Sequence, residues 1–345
     1  MAEKVNVNDF ITDLKTFVED RRTKVASEYT VGGLDPAGKY KIIPEQYKIF
    51  LNKLQRAVYY SRRKRGNAAI VSLTERSKLY APLRIDFDMR QKTDERLYTR
   101  KQVKTVISFI FSVIEELKSD SSDFTPACVL LEKPEPRLDE KASSAENKLY
   151  KDGFHLHFNF IIDDWTFKYI SQSIKVWFCE QGPTGPFEDE QNRFIEVKND
   201  DGIHTSDWLL YGAAKTIGAP FYEATAFYVS DQGVTSKVSC EEIFNYFYYE
   251  ITGKQEVEYY LPSMLSITGF TGETELNAAI IKERENSRTV HKKTRVVTEK
   301  NQAKIMEDLK EIQDGKFLEN LKQERADDYW KWMEVGRTLH GISDG

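Results

Sequence analysis

The sequence predicts an α/β or α+β core with helices added at both ends. Apolar residues recur at helical spacing near the N-terminus, short β-branched and aromatic runs begin at about residue 68, and the chain from about residue 276 is helical in pattern and highly charged. The 345 residues are 40% hydrophobic and 12% aromatic. This is enough for one large or two modest domains, and it excludes a wholly disordered chain.

Three segments have the spacing of amphipathic helices. They are marked by Phe10, Leu14 and Phe17, by the apolar residues from Tyr47 to Val58, and by those from Lys101 to Leu117. A turn-rich segment, Val31–Gly38, lies between the first two. Residues 133–149 are rich in proline and charge and are predicted to form a mobile loop, and residues 182–186 mark another loop.

Composition also limits the location and the cofactors. No apolar run approaches the roughly 18 residues of a membrane span, and residues 1–9 do not resemble a signal peptide. The three cysteines, Cys128, Cys179 and Cys240, have no CxxC spacing. We therefore expect reduced thiols, an intracellular protein of the cytoplasm or nucleus, no membrane partner and no zinc ribbon.

The formal net charge is −5, but basic residues are concentrated locally. The densest run is Arg62, Arg63, Lys64 and Arg65, and a second basic stretch spans Lys282 to Lys300. An acidic protein with basic islands can still bind nucleic acid, because phosphate charge is neutralised locally. The alternative interpretation is a solvated helix face.

The first chemical motif is the segment from Leu83 to Met89. In a strand, Asp86 and Asp88 project on one face while the apolar residues between them face a core. Two carboxylates about 7 Å apart along a strand repel each other, and a hard divalent cation such as Mg²⁺ or Mn²⁺ relieves that repulsion. The alternative is a half-exposed strand with two solvated acids.

The second motif runs from Lys151 to Phe160. His155, His157 and Asn159 share one face of a predicted strand, and Gly153 allows a ligand or another backbone to approach closely. The histidines are candidates for a metal pair or for phosphate binding, or they lie on an exposed strand.

The third motif is an acidic turn at residues 200–202 that leads into an apolar strand. Gly212, Ala213 and Ala214 follow that strand and precede Lys215. The small residues would leave room for a phosphate that the lysine could reach. An ordinary hairpin with Lys215 at a strand end is the alternative.

Taken in order, these motifs resemble the archaeo-eukaryotic primase superfamily, which includes the primase-polymerases. The closest likeness is to the primase part of helicase–primases of poxviruses and giant viruses. Residues 81–88, 151–155 and 208–215 carry the resemblance, and residues 332–339 resemble the start of the helical domain that follows the primase module. The likeness covers roughly residues 70–230 and the last twenty or so.

The resemblance implies an α+β primase core with an RRM-like antiparallel or mixed sheet, and a role for each matched residue. Asp86 and Asp88 would bind catalytic Mg²⁺ or Mn²⁺, with Asp200 as the third acid. Because Asn199 departs from the hydrophobic residue usual in the family, Asp201 and Glu196 stay open for that role. The nucleotide-binding residues implied are Lys151, Gly153, His155 and Lys215.

The implied function is template-directed nucleotidyl transfer on single-stranded DNA, with NTP or dNTP as substrate, in DNA replication. Tyr59, Tyr60 or Trp208 could stack on bases. We expect a catalytic domain over residues 1–275, whose first 67 residues are helical and basic, and a charged helical linker with the start of a helical domain over residues 276–345. The sequence contains no GxxxxGK[ST] loop, so a helicase would be a separate domain or subunit that acts as a partner. Because the motif at residues 332–339 lies at the C-terminus, we expect the chain to be the N-terminal fragment of a helicase–primase that acts in a host cell.

Two other functions remain open on the residues. A metal-dependent hydrolase or cupin-like enzyme would use His155 and His157, with His204 or an acid completing the site. A non-catalytic nucleic-acid-binding module would bind DNA in a salt-dependent way after loss of Asp86.

Overall fold

The computed structural model describes residues 6–144, 147–187, 191, 193–199, 206–268, 270 and 272–293. The chain divides into two compact units, residues 1–280 and 281–345. The helices are α1 Val7–Glu19, α2 Pro44–Arg65, α3 Arg100–Leu117, α4 Asp164–Gln181, α5 Cys240–Tyr246, α6 Leu261–Met264 and α7 Ala278–Lys293, with a 3₁₀ turn at Val257–Tyr260. The strands are β1 Val31–Asp35, β2 Ala37–Tyr40, β3 Ser72–Glu75, β4 Ala81–Gln91, β5 Ala127–Glu132, β6 Arg137–Leu138, β7 Tyr150–Ile162, β8 Phe194–Asn199, β9 Trp208–Leu209, β10 Glu223–Asp231 and β11 Val234–Val238.

The strands form two antiparallel sheets. The larger one has the order β11-β10-β5-β7-β4-β8, and β6 pairs with β7 off this path. The smaller one has the order β2-β1-β3-β9. The α+β class with an antiparallel sheet is therefore confirmed. Among the described helices, none is both long and apolar enough to cross a membrane.

The three helices predicted near the N-terminal half are present as α1, α2 and α3. Helix α3 begins with a capping box, in which Thr99 and Gln102 satisfy each other's backbone N–H groups. Its apolar face is buried, and Phe111 packs edge-on against Phe158 of β7 at a centroid distance of 5.8 Å. Helix α4 covers the same sheet face, where Phe178 stacks on Phe87 of β4 at 5.5 Å.

The turn-rich segment at residues 31–38 is part of a β-hairpin, so the first 67 residues are not wholly helical. Strand β1 pairs with β2 in the register Val31 to Tyr40, and with β3 on its other side. Gly33 lies within β1, where an added Cβ would meet the Pro36 carbonyl oxygen at 2.4 Å. A glycine-rich run can therefore form a strand where two backbones approach closely.

The segment at residues 133–149, predicted as a mobile loop, also contains ordered structure. Its strand β6 pairs with β7 through Arg137 and Leu138. Beyond β6, the Asp139 carboxylate accepts a 3.0 Å hydrogen bond from Arg90 of β4. Cross-strand pairing and this ion pair hold the segment, although its composition is that of a loop.

The two central strands have the predicted alternation. Leu83, Ile85, Phe87 and Met89 of β4 and Phe154, Leu156, Phe158 and Phe160 of β7 are buried on the face that α3 and α4 cover. The opposite face packs partly against a second core, where Val129 and Leu131 of β5 meet Leu54 of α2 and Leu73 of β3. A cavity remains on this second face, next to the centre of β4.

Candidate active site

Strand β4 places two carboxylates beside this cavity. Its pairing with β7 sets Asp86 opposite His155 and Asp88 opposite Gly153, without a register shift between them. His155 Nε2 lies 3.3 Å from Asp86 Oδ1. The two groups lie close without forming an aligned hydrogen bond, so Asp86 Oδ1 is buried without a hydrogen-bond partner. Burial opposes ionisation of Asp86, but His155 and Lys151 outweigh it and hold its pKa below the ordinary value.

Positive side chains line the same cavity. Its volume is about 420 Å³, and Lys133, Arg137, Lys151 and Lys215 all contribute to its wall. The Lys151 ammonium lies 2.7 Å from Asp88 Oδ2. Burial and the neighbouring charges of Arg137 and Lys151 lower the pKa of Lys133. The cavity thus places two carboxylates next to a group of cations, an arrangement suited to a metal ion and an anionic ligand together.

His155 is held by aromatic stacking. Its ring stacks on Tyr222 at a centroid distance of 3.6 Å and packs against Trp208 at 4.6 Å. Trp208, a candidate for base stacking, is only 6% exposed and also lies under the Arg84 guanidinium. Its described contacts therefore support the histidine ring.

Gly153 is required by the strand pairing. Its φ is +148°, and an added Cβ would meet the Phe87 carbonyl oxygen at 2.1 Å. Of the two possibilities open from the sequence, the close approach is thus that of another backbone. Gly153 brings β7 tightly against β4, and so fixes the spacing between His155 and Asp86.

The other wall of the cavity is the segment 206–222. Gly212 has a φ of +89°, and a Cβ there would meet Val58 Cγ2 of α2 at 2.4 Å. Ala213 bridges to Val71, and Ala214 donates to the Val71 carbonyl oxygen. These contacts bring the two alanines and Lys215 to the cavity that contains Asp86.

The third acid is not placed by the described residues. Asp200 and Asp201 lie outside them, as does His204. Glu196 is described: it lies opposite Arg90 on β8 and pairs with Arg90 at 2.8 Å and with Lys198. Lys198 and Arg90 keep its pKa low, so its charge is already balanced. Across the described part of the chain, no three His, Cys, Asp or Glu side chains are gathered to hold a metal ion.

His157 is buried, which corrects the interpretation of an exposed histidine pair. It is 0% exposed, and neither ring nitrogen has a hydrogen-bond partner. Burial, with Arg84 and His155 nearby, lowers its pKa to about 3. It lines a small cavity of about 20 Å³ with His155. The described residues around that cavity include no carboxylate. His157 therefore does not belong to a described cluster of metal ligands.

The basic run at the end of α2 is partly engaged within the protein. Arg62 Nε pairs with Glu223 Oε1 at 2.7 Å, Arg63 pairs with Glu256, and Arg65 donates to Asn8. Lys64 is exposed. Tyr59 is buried against Tyr60 and Tyr259 and belongs to the core. The motif at residues 332–339 and the end of the basic stretch that begins at Lys282 lie outside the described residues.

Sequence analysis gave no role to several residues that line the cavity, among them two cations and a tyrosine. Lys133 and Arg137 follow β5 and belong to a segment that composition assigned to a loop, and Tyr222 lies beyond the last motif. Tyr222 is half-buried, and burial raises the pKa of its hydroxyl well above the ordinary value. A possible signal was the position of Lys133 directly after an apolar strand of the same sheet.

A primase-type domain accounts for this combination of an antiparallel sheet, a strand-borne acid pair and a basic cavity. The sequence profile of the family described as "C962R protein N-terminal AEP domain" matches residues 32–228, more than half of the chain. The chain therefore belongs to this archaeo-eukaryotic primase family, as the sequence motifs predicted.

Curated relatives occur in large DNA viruses. The chain is 23% identical over 304 residues to "Putative helicase 121R" of Invertebrate iridescent virus 3, covering 80% of this chain and 30% of the relative. It is 22% identical over 329 residues to "Putative helicase L207/L206" of Acanthamoeba polyphaga mimivirus, covering 89% and 32%. It is 26% identical over 303 residues to "Putative helicase 184R" of Invertebrate iridescent virus 6, covering 81% and 30%. The chain thus spans about a third of the length of these relatives.

Proposed function

We propose that this primase-type domain catalyses template-directed nucleotidyl transfer on single-stranded DNA, using Asp86 and Asp88 as metal ligands. The observation that carries the proposal is the open oxygen of Asp86. A buried carboxylate oxygen without a hydrogen-bond partner is costly unless a ligand satisfies it. Hard oxygen donors of this kind suit Mg²⁺ or Mn²⁺.

The residues present fit such a metal site. Asp86 and Asp88 supply two carboxylates on one face of a rigid strand, and Asp200 is proposed as the third. When bound, two divalent ions supply the Lewis acidity that activates a 3′-hydroxyl and stabilises the leaving pyrophosphate. Glu196 is the weakest candidate for the third ligand, because Arg90 and Lys198 already balance its charge.

The cationic side chains would hold the triphosphate. Lys133, Arg137 and Lys215 line the same cavity as the two carboxylates. His155, fixed between Tyr222 and Trp208, would donate a hydrogen bond to a phosphate oxygen. Gly153 contributes indirectly, by setting the distance between the two strands.

A primer-synthesis assay tests the proposal. The protein is mixed with single-stranded DNA, labelled NTP or dNTP, and Mg²⁺ or Mn²⁺, with and without a primer. Asp86→Ala, His155→Ala and Asp200→Ala should abolish the product, whereas Glu196→Ala should retain it. The lane without primer separates a primase from a polymerase.

The other functions predict different results. DNA binding that persists without any product, in a folded wild-type protein, would favour the non-catalytic module. Tightly held Zn²⁺ or Fe²⁺ in the purified protein, lost in His157→Ala, would favour the hydrolase or cupin-like enzyme.

The wider assignments rest on the relatives. Because relatives three times as long carry the name helicase, we propose that residues 1–275 act as the catalytic domain and residues 276–345 lead towards a helicase part. The setting would be the host-cell compartment in which viral DNA is replicated. The three cysteines are free thiols, which agrees with an intracellular location.

A further inference from the structure

The contact between Lys151 and Asp88 affects how a metal ion can bind to Asp88. The Lys151 ammonium lies 2.7 Å from Asp88 Oδ2, on the cavity side of the sheet. An oxygen that would bind a metal ion is thus already occupied by a protein cation. Among the described residues, no lysine pairs with the neighbouring Asp86, whose Oδ1 lies 3.3 Å from His155 Nε2 and is buried without a hydrogen bond.

We propose that Lys151 is a displaceable counter-ion of Asp88, which makes the binding of metal and of a nucleoside triphosphate depend on each other. The inference rests on the proposed function and deepens it. Asp88 and Lys151 are 42% and 47% exposed at their side chains, so their ion pair is weak enough to be exchanged.

The charges around Lys151 give the coupling its direction. Lys133, Arg137 and Lys151 line one cavity, where burial and then the charges of Arg137 and Lys151 lower the pKa of Lys133. A divalent cation at Asp88 would leave Lys151 without its carboxylate and among like charges. A polyphosphate is the ligand that can accept the released ammonium and balance this excess of positive charge.

Each ligand therefore prepares the site for the other. Metal alone must compete with Lys151 for Asp88, whereas metal with triphosphate gives Lys151 a new partner. Removing the Lys151 charge should strengthen the binding of metal alone while it weakens the binding of the triphosphate. A residue with only a structural role would not move these two affinities in opposite directions.

The test measures Mn²⁺ binding by electron paramagnetic resonance, without and with a non-hydrolysable nucleoside triphosphate. In Lys151→Gln, the affinity for Mn²⁺ alone should rise by up to about fivefold, because the ion no longer has to break one exposed ion pair. The affinity for the triphosphate should fall, and the mutual enhancement should shrink. Lys151→Arg keeps the charge and should resemble the wild type.

Lys198→Gln is the matched control. Lys198 lies opposite Asp88 on β8, but its ammonium pairs with Glu196. Its loss should change the Mn²⁺ affinity by less than about twofold. An unchanged or weaker Mn²⁺ affinity in folded Lys151→Gln would overturn the inference and leave the metal site standing. If Asp86→Ala binds Mn²⁺ as tightly as the wild type does, the proposed metal site is wrong, and the inference is wrong with it.

Discussion

Acidic side chains lie on both faces of the large sheet. Asp86 on the cavity face is less completely paired than two acids on the face that the helices cover. On the face covered by helices, Asp152 of β7 accepts two hydrogen bonds of 3.0 Å from Arg96. Glu132 of β5 accepts one from Tyr98 at 3.0 Å and pairs with Arg100 at 2.5 Å. On the cavity face, Asp86 keeps a buried oxygen without a hydrogen bond.

The difference comes from what approaches each face. The segment from Arg96 to Arg100 leads into α3 and brings two guanidinium groups to the acids of the covered face. On the cavity face, Asp88 pairs with a single half-exposed lysine, Lys151, and Asp86 has only the His155 ring beside it, so these two carboxylates are held less completely. Acids that are fully paired support the fold, whereas an acid with an open oxygen leaves a position that a ligand can fill.

Exchanging each acid for its amide should give the largest separation between the faces. Asp86→Asn should lower primer synthesis by about a thousandfold or more, because a metal ligand is lost, and should change the free energy of unfolding by less than about 1 kcal/mol. Asp152→Asn should lower that free energy by about 2–3 kcal/mol, because Arg96 loses the charge it holds. Activity assays and urea unfolding measure the two effects.

The opposite pattern would break the comparison. If Asp86→Asn unfolds the domain, that acid supports the fold. If Asp152→Asn leaves stability unchanged, the pairing with Arg96 contributes nothing measurable, and the covered face has no structural need for its acid.

Gly153→Ala should affect both faces together. A Cβ at this position meets the Phe87 carbonyl oxygen at 2.1 Å, so β7 must move away from β4. We expect a loss of about 3 kcal/mol in the free energy of unfolding. Gly233→Ala is the control, because its φ of +78° is also positive but nothing lies within 4 Å of its added Cβ. It should cost about 1 kcal/mol, the backbone effect alone. Equal losses in the two variants would mean that the collision at Gly153 is relieved easily.

The burial of His157 makes the free energy of unfolding depend on pH. Its pKa is lowered to about 3 in the folded protein, against about 6.5 when unfolded, so the folded state prefers the neutral ring. Protons then bind the unfolded chain more tightly, and stability is lost as the pH falls from 6.5 towards 3. The loss should be about 2 kcal/mol at pH 5 relative to pH 8. His157→Leu should remove this slope in urea unfolding between pH 8 and pH 5; an unchanged slope would assign it to other groups.

The sequence predicted which side chains share a face of the sheet, but not what surrounds them. Alternation along β4 and β7 places Asp86, Asp88 and His155 on one face from local spacing alone, and the antiparallel pairing sets them opposite each other. Spacing cannot distinguish an exposed face from one that a second sheet covers. For this reason His157, which shares the face of His155, was not expected to be buried.

The residues missed by the sequence depend on contacts between distant segments. Lys133 reaches the ring of Tyr222 at 4.6 Å, although 89 positions separate them in the chain. The hairpin at residues 31–40 likewise depends on its pairing with β3, which glycine-rich composition hides. Tertiary contacts determine the structure of these segments, although their local composition favours turns and loops.

The smallest expected effect lies in the basic run at the end of α2, where paired and unpaired cations occur side by side. Arg62 is held by Glu223, whereas Lys64 is exposed and has no ion pair within the part of the chain that the structure describes. The logarithm of the affinity for single-stranded DNA falls linearly with the logarithm of the salt concentration. Lys64→Gln should make this slope shallower by somewhat less than 1, and Arg62→Gln should change it less than Lys64→Gln does. Fluorescence anisotropy over a salt series measures both slopes. If neither variant changes the slope, the basic run does not bind DNA. It then only stabilises the C-terminal end of α2 through the helix dipole, and the solvated-face interpretation holds.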